Sequence, residues 1–321
     1  MIGLFSFFAG AGFLDLGFEM TGHFKTLFVN EFKPAFNRIY RYARNNMGIE
    51  APVFGHHIGD IAEWLDDNHK NNTLHRYLKT AKESGMELTG FIGGPPCPDF
   101  SVAGKNKGKE GDNGKLSQTY IDLICDILPD FFVFENVKGL YRTAKHREFF
   151  EALKKQLRQA GYVMTEQLIN SIEFAAPQDR DRIILIGFRK KLARELKIKA
   201  KDGVITNFDW DRNKQYSREV FNLNWPTTSP YKENTPTEAP EGIIEELTVQ
   251  YWWEKNDVAN HPNSNMYFQT LHLYRETLFP VLQLLHTLCI LREYLLLLHG
   301  IPYNTLHLLL NPMIKRFPLV Y

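Results

Sequence analysis

Two spacings of apolar residues alternate over the first 190 residues of this chain. Short unbroken runs predict strands at Gly3–Phe8, Thr26–Asn30, Val53–His57, Phe91–Ile92, Phe131–Phe134, Met164–Ile169 and Ile183–Phe188. Between them, apolar positions recur every three or four residues and predict helices at Leu14–Met20, Pro34–Met47, Asn72–Ser84, Leu116–Leu128 and His146–Ala160. Strands alternating with helices define an α/β fold.

The pattern changes after Lys191. Residues up to Gln269 are rich in Trp, Asn, Thr and Pro, including the turn-forming run Pro226-Thr227-Thr228-Ser229-Pro230, and read as a second, less regular lobe. From Leu271 to Tyr321 one residue in three is leucine. Arg292, Glu293 and His286 interrupt its longest apolar stretch, which argues against a membrane span. The expected domains are therefore 1–190, 191–270 and an atypical tail, 271–321.

Composition adds limits rather than a function. Hydrophobic residues at 44% and charged residues at 23% exclude a disordered or fibrous chain. The 38 basic and 37 acidic residues create no global field for nucleic acid, so binding to it must use local patches. Such a patch is present in Lys105, Lys107, Lys109 and Lys115, which taken alone reads as a solvated loop face. Cys97, Cys125 and Cys289 have no metal-like spacing, and no apolar leader precedes the first strand. A reduced cytoplasmic compartment, without structural disulfides or a metal, is expected. Cys125 falls beside Ile121 and Ile124 on a helix and reads as core.

Four segments carry candidate chemistry. Phe8-Ala9-Gly10-Ala11-Gly12 stands at a strand-to-helix turn, where glycines let the backbone approach a ligand. Glu31 ends the second strand and can accept hydrogen bonds from ribose hydroxyls, and Gly59-Asp60-Ile61 adds a carboxylate for the exocyclic amine of adenine. A nicotinamide-binding turn would need glycine where Asp15 stands, so these residues point to a nucleoside without fixing which. Gly93-Gly94-Pro95-Pro96-Cys97-Pro98-Asp99-Phe100-Ser101 follows the fourth strand and places Cys97 at the ligand edge of the sheet, beside lysines that favour a thiolate. Phe134-Glu135-Asn136-Val137 ends an apolar strand, a setting expected to raise the proton affinity of Glu135 and suit it to acid catalysis. Gln178-Asp179-Arg180-Asp181-Arg182 leads into the last strand and could equally be a surface ion-pair cluster.

In this order and at these distances, the segments resemble the DNA (cytosine-5) methyltransferase family over residues 3 to 190. The resemblance implies a Rossmann-like sheet with helices on both faces, a smaller irregular target-recognition lobe, and S-adenosyl-L-methionine as cofactor. It implies that Phe8, Gly10, Gly12, Glu31, Asp60, Ile61 and Pro96 bind that cofactor. Cys97 would add to C6 of cytosine, Glu135 would engage N3 and the exocyclic amine, Arg182 would hold O2, and Arg180 would order the site. The target base must be flipped out of double-stranded DNA. Ser101, Lys105, Lys107 and Lys109 would contact that DNA, which gives the loop Val102–Lys115 a role in closing over phosphates. A bacterial, nucleoid-associated enzyme of a restriction-modification system is the implied setting.

The sequence departs from the family pattern at Phe13, where a third glycine is usual, and at Pro98, where glutamine is usual. The family's closing Arg-x-Leu-[Ser/Thr]-x-x-Glu and Gly-Asn-x-Val segments do not occur after residue 190. Three readings follow: a DNA methyltransferase, a transfer-RNA methyltransferase built on the same motifs, or a catalytically incompetent chain that binds cofactor or DNA without turnover, either truncated or one part of a split enzyme whose second subunit supplies the closing segments.

Overall fold

The computed structural model describes residues 1–96, 112–176, 178–217 and a few positions between 251 and 260. They form two compact units. Among the described residues the larger comprises Met1–Ile169 and Asp181–Arg212, and the second comprises Asn170–Arg180 with the described residues between 213 and 260.

The large unit is built on a nine-stranded sheet. In chain order its elements are β1 (Ile2–Phe7), α1 (Phe13–Glu19), β2 (Phe24–Glu31), α2 (Pro34–Asn46), β3 (His56–Ile58), α3 (Glu63–Asp66), α4 (Asn68–Glu83) and β4 (Leu88–Gly93). There follow α5 (Asp112–Ile127), β5 (Phe131–Val137), α6 (Ala144–Gln159), β6 (Tyr162–Asn170), β7 (Asp181–Arg189), α7 (Lys190–Glu195), β8 (Ala200–Lys201) and β9 (Val204–Ile205). The strand order is β3-β2-β1-β4-β5-β7-β6-β9-β8. β1, β2, β3, β4 and β5 pair in parallel, whereas β7 runs antiparallel against β5. The order reverses between β1 and β4, and crossovers that run in opposite directions from that point put helices on both faces. The α/β architecture expected from the apolar pattern is the one present.

Alternation along β1 separates two cores. Phe5 and Phe7 join Phe28, Phe91, Leu74, Leu78, Ile121, Ile124 and Phe134 in one buried cluster. Leu4 is buried on the other face, where the Phe18 and Phe24 rings meet edge-on at 5.0 Å. Two strand glycines make room for rings on their neighbours. A Cβ on Gly90 would lie 2.1 Å from Phe131, and a Cβ on Gly187 would lie 2.2 Å from Phe132. Cys125 packs against the main cluster, and burial pushes its thiol up to about 11, so it is inert core as expected.

The elements differ from expectation where local polar chemistry overrides apolar spacing. The strand expected at Val53–His57 is confined to His56–Ile58, because Val53 is exposed and Gly55 turns the chain at φ 77°. α4 begins at Asn68 rather than Asn72 because the Asp67 carboxylate accepts the His69 and Lys70 N–H groups. The sheet also continues beyond residue 190, since β9 pairs with β6 at Met164↔Val204. Trp210 donates its indole N–H to Thr165 Oγ1 at 3.0 Å on the same edge. Within the second unit, Asn170 caps the short turn Ser171–Phe174, and Lys214 pairs with buried Glu173 at 3.1 Å. The expected tail, 271–321, lies outside the described residues. Among the described residues no helix is long and apolar enough to cross a membrane.

Candidate active site at the carboxyl edge of the sheet

The turn from β1 to α1 leaves the sheet at the order reversal, which is where open α/β sheets bind ligands. Phe8, Gly10 and Gly12 have positive φ of 54°, 56° and 84°. At Gly10 an added Cβ would meet nothing within 4 Å, so the backbone there can be approached closely. At Gly12 it would lie 2.3 Å from the Tyr40 ring, so the turn rests directly on α2. The Phe8 ring is held edge-on to Tyr120 at 5.9 Å.

Glu31, at the end of β2, is buried and ties this turn down. One carboxylate oxygen accepts the Gly10 N–H at 2.7 Å and the other accepts the Lys33 N–H at 2.8 Å. A carboxylate has about four acceptor positions, so two backbone donors leave capacity for ribose hydroxyls. The Gly59-Asp60 loop lies beside it, with Gly59 N–H bonded to the Glu31 carbonyl at 3.2 Å. Asp60 Oδ1 accepts the Ala62 N–H at 2.9 Å, and Ile61 is buried beneath the loop. A glycine turn open to a ligand, flanked by two carboxylates, fits an adenosyl group. Phe32, 64% exposed directly after Glu31, was not singled out from the sequence. Its signal there is an aromatic residue adjoining the strand-end acid.

Behind the turn lies a polar cluster that the sequence does not advertise. Arg44 forms a buried ion pair with Glu19, donates to the Gly12 carbonyl at 3.4 Å, and stacks on Tyr40 at 4.4 Å. Asp15 is fully buried beside them, and loss of solvent raises its carboxyl to about 6, partly offset by Arg44. The Ser6 and Tyr40 hydroxyls face this carboxyl and soften the effect, but neither forms a well-shaped hydrogen bond to it.

The second half of the site is made where β4, β5 and β7 meet. β4 delivers Gly94, Pro95 and Pro96, and buried Asn136 donates to the Pro95 carbonyl at 3.4 Å. Cys97 follows Pro96 and, with Ser101, Lys105, Lys107 and Lys109, lies outside the described residues. Glu135 Oε1 accepts from Arg182 Nε at 2.7 Å. The apolar mouth expected around Glu135 is thus replaced by an ion pair, because antiparallel β7 brings its first residues to the end of β5. Gly94 completes the arrangement, since a Cβ there would stand 2.6 Å from Glu135 Oε2. Arg180 belongs to the second unit, where its backbone N–H bonds to Asn170 Oδ1 at 3.3 Å and its carbonyl accepts the Ser171 N–H at 3.1 Å. Asp179 accepts from the same Asn170 side chain at 2.7 Å, and Asp181 pairs with Lys138 at 2.6 Å, so the segment is an ordered turn that also carries ion pairs.

The fold is of the doubly wound α/β class, and the carboxyl edge of its sheet is shaped to suit a nucleoside. The profile of the C-5 cytosine-specific DNA methylase family matches residues 2–279, and the chain belongs to that family, which uses S-adenosyl-L-methionine. It is 53% identical over 266 residues to the Type II methyltransferase M.NmeDI of Neisseria meningitidis serogroup C, covering 83% of this chain and 60% of that protein. It is 30% identical over 249 residues to the Type II methyltransferase M.FnuDI of Fusobacterium nucleatum, covering 75% of this chain and 61% of that protein. Among solved structures, the S. pombe Dnmt2 methyltransferase matches 71% of this chain and 56% of its own, with 14% identity and a TM-score of 0.42. The chain spans about three-fifths of the length of these two curated relatives.

Proposed function

We propose that the protein transfers a methyl group from S-adenosyl-L-methionine to C5 of a flipped-out cytosine in duplex DNA. The observation that carries this reading is the convergence of Glu135 and Arg182, 2.7 Å apart, beside the segment that leads into Cys97. A carboxyl and a guanidinium held together can address both sides of one cytosine, the carboxyl at N3 and the exocyclic amine, the guanidinium at O2.

Cytosine C5 is a weak nucleophile. Addition of the Cys97 thiolate to C6, with Glu135 hydrogen-bonded to N3, converts the C5–C6 double bond into an enamine that is nucleophilic at C5. Arg182 fixes O2, and Arg180 orders the turn before β7. The cofactor supplies the electrophilic methyl group, held by Glu31 at the ribose, by Asp60 and Ile61 at the adenine, and by Phe8, Gly10, Gly12 and Pro96. Removal of the C5 proton then restores the double bond and expels the thiolate. Ser101, Lys105, Lys107 and Lys109 contact the DNA backbone.

Residues 1–190 carry catalysis and cofactor binding in this reading, and 191–270 recognise the target sequence. The tail, 271–321, has no assigned role. In this reading the protein protects host DNA in a bacterial restriction-modification system and works in the cytoplasm at the nucleoid; the Type II naming of the two curated relatives supports the restriction-modification part. Labelled methyl transfer from S-adenosyl-L-methionine to duplex DNA tests the reading. Transfer to transfer RNA instead of duplex DNA would replace the substrate. Activity only after a second polypeptide is added would make the chain one subunit of a split enzyme.

A further inference from the structure

The two cofactor-facing loops hang from two consecutive residues at the end of β2. Glu31 is the first, through the bonds described above. The second is Asn30, which is 2% exposed and has no part in the reading so far. Its side-chain amide donates to the His57 carbonyl at 3.4 Å and to the Gly59 carbonyl at 3.1 Å, while its own carbonyl accepts the Ala9 N–H at 3.3 Å. The glycine-rich turn and the Asp60 loop are thereby bonded to one residue.

The chemistry of the position singles out asparagine. Two carbonyl oxygens face the side chain, so the NH₂ group must point at them, and asparagine is the residue of this size that brings two donors without a charge. Aspartate would set a carboxylate against two carbonyls, and alanine would remove both side-chain donors from a buried place. The loop is confined from its other flank as well. A Cβ on Gly59 would lie 2.6 Å from His57 Nε2 and 2.8 Å from Glu63 Oε1, and Glu63 Oε1 also accepts the Asp60 N–H at 3.1 Å. With Glu63 on one side and Asn30 on the other, the distance between Glu31 and Asp60 has little freedom.

We infer that Asn30 is a positioning residue that sets adenine selectivity, by holding Asp60 at a fixed distance from the ribose-binding Glu31. The inference rests on the assignment of Glu31 and Asp60 as the cofactor's acids. It makes Asn30 act on the adenine through Asp60 and on nothing else in the ligand. An unpositioned Asp60 still binds, but it no longer distinguishes an exocyclic amine, which donates to it, from a carbonyl, which repels it.

The test is a binding cycle on the full chain, by calorimetry with S-adenosylhomocysteine and S-inosylhomocysteine, which differ at that purine position. Asp60→Asn should narrow the wild-type preference for the adenosyl compound. Asn30→Ala should weaken the adenosyl compound about tenfold, as loss of a well-placed Asp60–amine hydrogen bond warrants, and leave the inosyl compound nearly unchanged. The double variant should bind no worse than Asp60→Asn alone. Asn30→Ser, which keeps one donor, should give a smaller loss in the same direction and serves as the folded alternative if Asn30→Ala does not fold. Equal weakening of both ligands, or additive losses in the double variant, would overturn the role given to Asn30. An unchanged preference in Asp60→Asn would remove the assignment of Asp60 itself, and the inference with it.

Discussion

Gly94→Ala offers the sharpest separation of catalysis from cofactor binding. The new Cβ would lie 2.6 Å from Glu135 Oε2, with the other near atoms, at 3.6 and 3.7 Å, also in Glu135. Ordinary contact requires the carboxylate to retreat by roughly 0.8 Å, against an ion pair to Arg182 that holds it at 2.7 Å. Gly94 does not have the positive φ that disfavours alanine, so the strain falls on the carboxylate and the proline segment rather than on the fold. A displacement on the order of 1 Å at a reacting group costs about 100-fold in rate, or about 2.7 kcal/mol of transition-state stabilisation. Single-turnover methyl transfer to duplex DNA should therefore fall about 100-fold. The S-adenosylhomocysteine dissociation constant, measured by calorimetry, should change only a few-fold, because Glu31, Asp60 and the glycine turn follow β1, β2 and β3 and Pro96 alone among the cofactor residues comes from the segment after β4. The neighbouring Gly93→Ala is the control. Its Cβ would lie 2.9 Å from the buried Tyr120 ring and 3.0 Å from the Phe7 carbonyl, so it should lower the melting temperature. A folded Gly94→Ala protein with wild-type rate, or one that loses cofactor binding in proportion to rate, would refute the placement of Glu135 at the chemistry.

Cys97→Ser should bind S-adenosylhomocysteine as the wild type does and lose methyl transfer by several orders of magnitude, because a serine hydroxyl is far less ionised than a thiol. The wild-type chain should form a denaturation-resistant adduct with DNA carrying 5-fluorocytosine, visible by gel shift, and an active enzyme that cannot be trapped would remove the covalent role. Glu31→Ala should weaken S-adenosylhomocysteine binding by about 1.5–3 kcal/mol in calorimetry, the range for hydrogen bonds to a charged group. Asp15 holds its proton up to about pH 6 when folded but only to 3.8 in its ordinary state, so the folded chain carries more protons between those values and this group's contribution to stability falls as pH rises across them. His56, lowered by burial to about 4 from 6.5, acts in the opposite sense over much of the same window. The stability of Asp15→Asn minus that of the wild type, from urea unfolding, should therefore grow as pH rises from about 4 to 6 and level off above it.

What the sequence discloses depends on how local the cause is. Strands such as Ile2–Phe7 and Asp181–Arg189 are legible because burial imprints apolar runs. The start of α4 is not, since Asn68, His69, Lys70 and Asn71 carry no apolar stripe and become helical through the Asp67 cap. β8 and β9 are two residues each, too short to establish any period. At the site, the glycine turn and Glu31 could be read because they adjoin one strand end and one turn. The family resemblance alone brings Glu135 and Arg182 to one base; their direct ion pair could not be read, because it depends on the β5–β7 register across a long intervening segment. Asp15 is visible in the sequence only as a residue standing where a dinucleotide turn has glycine. Its burial against Tyr40 and Arg44 is a tertiary fact.

The ring of Phe132 seated over Gly187 works as a pin in a notch. Those two residues are direct partners across β5 and β7, and so are Val137 and Arg182, five positions along each strand. If β7 slid by one residue, Ile186 or Phe188 would bring a side chain under the Phe132 ring, and every β7 side chain would turn to the opposite face of the sheet. The alignment of the arginine with Glu135 is thus specified roughly 17 Å away, at five residues of strand rise, by a glycine that touches no substrate. Variation at Gly187 or Phe132 would be felt as lost catalysis even though nothing near the reacting atoms had changed.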